Sequence, residues 1–177
     1  MGKKKWEYYL IDGYNVINCW PELKKMSADL AEARDTLVSI LSEYGAYEKY
    51  NMVIVFDAMF TDNDEHHEKI NKHLNLIYTG SGETADSCIE RLAYELVRAG
   101  KEVYVVTSDG AEQSVILGAG ACRIPSLEFR KMVRRTKKQL TAEFVGHTSP
   151  TVARLDVQER LDAEMVKKLD WLRKQQS

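Results

Sequence analysis

The chain has 177 residues, of which 44% are hydrophobic and 29% charged, and its formal net charge is −2. This length suits one domain with a substantial core and is short for two of ordinary size. The composition is that of a folded chain rather than a disordered one. No apolar run approaches the length of a membrane span, and the lysine-rich start lacks the apolar stretch of a signal peptide. We therefore expect a cytoplasmic protein without membrane association.

Cysteine and histidine give no sign of a zinc or redox site. Cys19, Cys88 and Cys122 are odd in number and far apart in the sequence, without the paired spacing that such sites need. We expect reduced thiols, most of them buried. The four histidines form no convincing zinc or acid–base set, and the sequence assigns them no role.

Three apolar runs end in polar residues, as buried strands do. They cover residues 8–11, 52–56 and 103–106, and a weaker run covers residues 74–78. Their hydrophobicity is continuous rather than alternating, which is typical of parallel strands that are covered by helices on both faces.

Helical periodicity appears between these runs. The first helix has apolar side chains at Leu30, Leu37, Leu41 and Tyr44. Ser27 is expected to cap it, and a second helix over residues 89–96 is expected to end near Gly100. Residues 118–125 are expected to hold a short edge strand, followed by a basic helix from about residue 126 to 140. The alternation predicts a doubly wound α/β fold with right-handed crossovers.

The end of the chain differs in pattern from the rest. Residues 1–144 are expected to form one α/β domain that includes the basic helix. Residues 145–155 are interpreted as a linker because Gly146 and Pro150 interrupt the pattern. Residues 156–177 have apolar side chains at helical spacing, which predicts a C-terminal amphipathic helix.

Aspartates follow the three clear strands. Asp12, Asp57 and Asp109 stand at these ends, and Asp86 stands in the first turn of the second helix. Ligands of open parallel sheets bind beyond the carboxyl ends of the strands, so the four carboxylates are expected to approach one another. Such a cluster is costly unless a cation neutralises it, and its hard oxygen ligands suit Mg²⁺ or Mn²⁺. A carboxylate-held ion of this kind is suited to phosphodiester hydrolysis.

Each of these residues also has a structural interpretation. Asp12 and Asp109 precede glycines and could be turn or cap residues, while Asp57 leads into an acidic stretch that could be a solvated surface. Glu83 could be a favourable charge at a helix N-terminus. Asn15 could cap its own loop, or it could hydrogen-bond Asp12 or a phosphate.

Four segments, in this order and spacing, resemble the YacP-type NYN-domain nucleases, which are relatives of PIN domains. They are LIDGYNVI at 10–17, VIVFDA at 53–58, ETAD at 83–86 and VTSD at 106–109. The likeness covers roughly residues 8–140. It implies a PIN-like (NYN) three-layer α/β fold, with a central parallel sheet flanked by helices, and cleavage of RNA with Mg²⁺ or Mn²⁺.

The resemblance also implies roles for individual residues and a partner. Asp12, Asp86 and Asp109 are the expected catalytic acids and metal ligands, and Asp57 is a further metal ligand. The expected supporting residues are Asn15, Glu83 and Ser108. The family includes a bacterial endoribonuclease that cuts mRNA on the translating ribosome near the decoding site, so the implied partners are mRNA and the ribosome.

The expected basic helix offers a surface for an RNA backbone. Arg130, Arg134 and Lys138 share one side by their i, i+4 spacing, with Lys131 and Arg135 beside them. Acidic residues are scarce on this helix, which favours RNA binding over a merely solvated face.

Other functional classes fit the sequence less well. A haloacid-dehalogenase-like phosphatase needs a second aspartate where Tyr14 stands. A receiver domain needs a second acid at the first strand and a lysine after the last, and neither is evident. No glycine-rich dinucleotide or Walker motif predicts a nucleotide cofactor. The remaining alternative is an RNA- or ribosome-binding module that does not cleave, although clustered acids would not help such a module to bind phosphates.

Overall fold

The computed structural model describes residues 7–58, 64–110 and 118–147. The chain divides after Arg135 into two compact units, and the central sheet belongs entirely to the first.

The described part of the sheet has six strands, which supply the framework for the functional residues. In chain order they are β1 (Glu7–Asp12), β2 (Asn51–Phe56), β3 (His66–Lys69), β4 (Leu74–Tyr78), β5 (Glu102–Val106) and β6 (Cys122–Ile124). Their spatial order is β3-β4-β2-β1-β5-β6. Every neighbouring pair is parallel except β3 with β4. The predicted parallel sheet is confirmed, with β1 between β2 and β5.

Helices flank this sheet. They are α1 (Gly13–Cys19), α2 (Pro21–Lys24), α3 (Leu30–Glu48), α4 (Ala85–Arg98) and α5 (Ser126–His147). One sheet face packs in a core cluster with side chains of α1, α3 and the start of α5. The other face packs in a second cluster with α4. The apolar side chains of β1, β2, β4 and β5 alternate between the two clusters, as the twofold repeat of a strand requires. This arrangement confirms the α/β fold with helices on both faces.

Two short helices and one strand were missing from the sequence prediction. Helices α1 and α2 have seven and four residues, too few to show a helical repeat in the sequence. All four residues of β3 are exposed, so no hydrophobic alternation marks it. It is an edge strand, because β4 is its one partner in the described sheet.

The ends of two helices also differ from the prediction. Ser27 does not cap α3, because the side chain of Asp29 accepts the backbone N–H groups of Ala31 and Glu32. Helix α5 does not end near residue 140 but continues to His147, since a glycine at position 146 weakens a helix without having to end it. The first three residues of the predicted linker are therefore helical. The rest of that linker and the predicted C-terminal helix lie outside the described residues.

The cysteines are free, and only Cys88 is buried, so the expectation that most of them are buried was wrong. Cys122 is exposed because β6 is the other edge of the described sheet. Within the described ranges, no helix is both long enough and apolar enough to cross a membrane.

Candidate metal centre and its surroundings

Asp12 occupies the turn from the central strand β1 into α1. Its carboxylate accepts the backbone N–H of Asn15 at 3.1 Å and so caps α1. Gly13 lies against the ring of Phe56, which a Cβ at position 13 would approach to 2.3 Å. A glycine is therefore needed here for the turn to pack against β2. The structural interpretation of Asp12 as a cap residue is confirmed.

The other three aspartates lie close enough to Asp12 to act on its charge. Asp57 directly follows β2, Asp109 follows β5, and Asp86 lies in the first turn of α4. Burial is the largest cause that raises the pKa of Asp12, from 3.8 to about 6. The Asn15 hydrogen bond opposes this rise, and the charges of the three aspartates add to it. The strand order thus brings Asp12, Asp57 and Asp109 to one edge of the sheet, and the start of α4 brings the charge of Asp86 close to Asp12.

The donor set fits a hard divalent cation. Three carboxylates raise the pKa of a fourth, Asp12, and the negative potential of such a cluster is relieved by a cation. No three of them bring oxygens within 4.8 Å of one another in the described structure. A Mg²⁺ ion keeps several of its waters and takes only one or two carboxylates directly, so such a site does not need three converging carboxylates. Asp12 and Asp57 are half-buried, whereas Asp86 and Asp109 are exposed, so the cluster opens to solvent.

A second acidic group contains Glu65, Glu83 and Cys88, whose potential ligand atoms do lie within 4.8 Å of one another. Arg91 already pairs with both carboxylates of this group, with its guanidinium 2.8 Å from Glu65 and 3.2 Å from Glu83, and His67 also contacts Glu65. Burial raises the pKa of the Cys88 thiol to about 11, so the thiol stays protonated near neutral pH. We interpret the group as an ion-pair cluster. The predicted supporting residue Glu83 therefore anchors the loop before α4 through Arg91.

Asn15 links the turn at Asp12 to two other elements. Its side-chain Oδ1 accepts the Ser108 N–H at 2.9 Å and the Ser126 hydroxyl at 2.7 Å. The Ser126 N–H in turn donates to the Ser108 hydroxyl at 3.2 Å. The carbonyl of Ser126 accepts the buried indole N–H of Trp20 at 2.8 Å. The amide oxygen of Asn15 is thus used inside the protein, where it holds together the ends of β1 and β5 and the start of α5.

Sequence reasoning missed Ser126 and two buried threonines that hold the loops at the sheet edge. Thr79 accepts the N–H of Ala58, the residue after Asp57, at 3.1 Å, and Thr107 accepts the N–H of Asp109 at the same distance. Both are at most 1% exposed. A hydroxyl directly after an apolar strand is the sequence signal for such a contact, and it was present at both positions.

The basic residues of α5 are not equivalent. Arg130 is partly buried and forms a two-pronged ion pair with Glu22 of α2, with contacts of 2.8 to 3.0 Å. Lys131 pairs with Glu128 on the same helix at 2.7 Å. Arg134, Arg135 and Lys138 are exposed. Arg130 thus has a structural partner that the sequence did not reveal, because Glu22 lies more than one hundred residues away in the chain.

Comparison with known proteins adds a family to this geometry. Residues 9–174, which include all four aspartates, match the family described as the YacP-like NYN domain. The protein YacP of Bacillus subtilis (strain 168), named as uncharacterized, is 37% identical over 132 residues, which are 74% of this chain and 77% of that protein.

Two crystal structures of Rae1 (YacP) from Bacillus subtilis are similar in fold, each with a TM-score of 0.70. One is 32% identical and covers 94% of each chain. The other, of a tryptophan-to-leucine mutant, is 35% identical and covers 80% of this chain and 83% of that one. The likeness therefore extends over most of both chains.

Proposed function

Because this chain belongs to the YacP-like NYN domain family, we propose that it is a metal-dependent endoribonuclease that hydrolyses RNA phosphodiester bonds. The family is consistent with a nuclease-type, RNA-related function. The observation that carries the proposal is the placement of Asp12, Asp57 and Asp109 at or just beyond the carboxyl ends of the adjacent strands β1, β2 and β5. Asp86 is close enough for its charge to act on Asp12 as well. A bound cation would relieve the repulsion that the neighbouring aspartates exert on the Asp12 carboxylate.

We assign the chemistry to the acids at the sheet edge. Asp12, Asp86 and Asp109 are the catalytic acids and metal ligands, and Asp57 is a further ligand of Mg²⁺ or Mn²⁺. When bound there, the ion would supply a more acidic water and stabilise the charge that builds on the attacked phosphate. The backbone N–H of Asn15 binds the Asp12 carboxylate, and the Asn15 side chain binds the backbone N–H of Ser108. These two hydrogen bonds fix Asp12 relative to the end of β5.

The RNA backbone would run along α5. We assign phosphate contacts to Arg134, Arg135 and Lys138, which are exposed, with Arg130 and Lys131 contributing positive charge beside them. The likeness to YacP and Rae1, joined to the resemblance noted in the sequence, supports the finer proposal that the substrate is mRNA on the translating ribosome near the A site. This function would be carried out in the cytoplasm.

The experiment incubates the protein with RNA, with and without translating ribosomes, and maps new 5′ ends in Mg²⁺, Mn²⁺ and EDTA. New ends that require metal are expected. Asp12→Asn should abolish them, and Asp29→Asn is the matched control, since Asp29 caps α3 as Asp12 caps α1. Cleavage in excess EDTA at the normal rate would contradict the metal mechanism. Metal-dependent ends that appear only with ribosomes would support the finer substrate.

The second candidate function is a non-cleaving RNA- or ribosome-binding module on the same fold. The exposed basic residues of α5 fit this module as well as they fit a nuclease. The four clustered acids fit it less well, since they repel phosphates. RNA binding without any new 5′ ends, under every metal condition, would select this alternative.

A further inference from the structure

Aromatic side chains cross three neighbouring strands and end at the protein surface. Phe56 of β2 lies opposite Tyr78 of β4, and Tyr78 lies opposite His66 of β3. The Phe56 and Tyr78 ring centroids are 5.6 Å apart with an interplanar angle of 23°, and those of Tyr78 and His66 are 6.1 Å apart at 28°. We call Phe56, Tyr78 and His66 the ring ladder.

The inner end of the ring ladder lies beside the candidate metal centre. Phe56 packs against Gly13 next to Asp12, and it directly precedes Asp57. Its carbonyl accepts the N–H of Thr79, the residue after Tyr78, at 3.0 Å. The ladder thus leads from the acidic edge of the sheet outward along its surface.

Exposure increases along the ladder. Phe56 is fully buried, Tyr78 is half-buried and His66 is exposed. Of the described aromatic rings, Tyr78 is the one that stacks on His66, at a centroid distance of 6.1 Å, so it lies on one side of the imidazole. An exposed ring held by stacking at the end of an ordered ladder is a suitable platform for a further flat ring.

The charges around Tyr78 determine whether a phosphate or a neutral group is favourable at this position. The guanidinium of Arg34 lies 6.0 Å from the Tyr78 ring centroid, and the carboxylates of Asp35 and Glu68 also act on the Tyr78 phenol electrostatically. Two carboxylates against one guanidinium disfavour a phosphate at this position. A neutral nucleobase, by contrast, stacks on an aromatic ring whatever its sequence.

We infer that the ring ladder binds a nucleobase of the RNA on the exposed face of His66, next to the acidic edge where cleavage is proposed. This inference rests on the proposed function, because the RNA must pass that edge. It assigns a role to a histidine that the sequence left without one, and it gives the RNA a contact on the opposite side of β1 from β5 and the start of α5.

The test measures binding of a fluorescein-labelled oligoadenylate that carries one fluorescent adenine analogue. All proteins carry Asp12→Asn, which prevents cleavage. His66→Ala should weaken binding by about tenfold, within the range for losing one base stack, and should abolish the quenching of the analogue. His66→Trp should preserve both. His67→Ala is the matched control, because His67 is the next residue of the same exposed strand and points to the other face.

The possible results separate this inference from the proposed function. If His66→Ala binds the oligoadenylate as tightly as its parent, with the same quenching, the ring ladder has no role in RNA binding. A merely structural histidine would lower the melting temperature in the alanine variant and leave affinity and quenching unchanged, which would also overturn the inference. Failure of the proposed function is recognised independently, as absence of metal-dependent cleavage by the protein with Asp12 intact.

Discussion

The acidic edge of the sheet and the basic helix α5 are both charged surfaces, yet only one is explained by the fold topology alone. Parallel strands with β1 at the centre bring Asp12, Asp57 and Asp109 to one edge, wherever the helices pack. Whether a basic residue of α5 is available to a ligand depends instead on its tertiary neighbours. Arg130, for example, forms an ion pair with Glu22. Charges placed by topology can thus be assigned from sequence, whereas charges on a helix face need the structure.

The largest expected effect is on the acidic edge. Asp12→Asn and Asp86→Asn should each abolish RNA cleavage, because each removes a charged ligand with little change in volume. The fold should persist, since asparagine caps α1 about as well as aspartate, and Asp86 is an exposed residue of α4, which Thr84 caps. Mapping of 5′ ends together with circular dichroism checks both statements. Full activity of either folded variant would refute the assigned site.

The next effect distinguishes the exposed basic residues of α5 from Arg130, which is paired with Glu22. Changing Arg134, Arg135 and Lys138 together to glutamine should weaken RNA binding by tenfold or more at low salt. It should also lower the slope of log affinity against log salt by about 2, since about 0.7 counterion is released per phosphate on single strands. Cleavage at saturating protein should largely recover.

Arg130→Gln is the matched comparison on the same helix. It should reduce stability by about 1 kcal/mol through loss of the partly buried pair with Glu22, and it should change the salt slope much less than the triple variant does. A salt titration of RNA binding and a thermal melt distinguish the two variants. Equal salt slopes for the native protein and the triple variant would show that these basic residues of α5 form only a solvated surface and do not bind RNA.

A smaller effect is expected at Ser126, the first residue of α5, which is hydrogen-bonded to Asn15 beside the acidic edge. Ser126→Ala removes the 2.7 Å hydrogen bond to Asn15 and should cost about 1 kcal/mol of stability. Because Asn15 holds Asp12, kcat should fall about tenfold, while KM for RNA stays nearly constant. Ser39→Ala, at an exposed serine of α3, is the control. An unchanged kcat in Ser126→Ala would show that the network is not needed to position Asp12.

The fold and the acids could be predicted from sequence for a common reason. Continuous apolar runs identify buried parallel strands, and the residue after each run falls at one edge, so Asp12, Asp57 and Asp109 could be placed together. The contacts of Ser126 and Glu22 could not be predicted, because hydrogen bonds and ion pairs between distant segments leave no local pattern. Strand β3 was missed for a related reason, since its four residues are all exposed and its place is set by backbone pairing with β4.

The last predicted effect is on stability as a function of pH without metal. The pKa of Asp12 is raised in the folded state to about 6 from 3.8, so the folded protein holds this proton more tightly than the unfolded chain. That contribution is fully present below about pH 4 and is lost as the pH rises through about 6. In EDTA, Asp12→Asn should therefore exceed the native protein in stability above about pH 7, by at most about 3 kcal/mol. Thermal melts should show this advantage disappearing near pH 4, and a constant difference across the range would contradict the assigned pKa.

The most direct test of the metal centre is a titration of the melting temperature with Mn²⁺ at neutral pH, without RNA. Native protein and Asp29→Asn should both gain stability as Mn²⁺ is added, by mass action on the folded state. Asp12→Asn should start higher in EDTA and gain little. An equal rise in all three proteins, or no rise in the native protein, would contradict a cation site at the four aspartates.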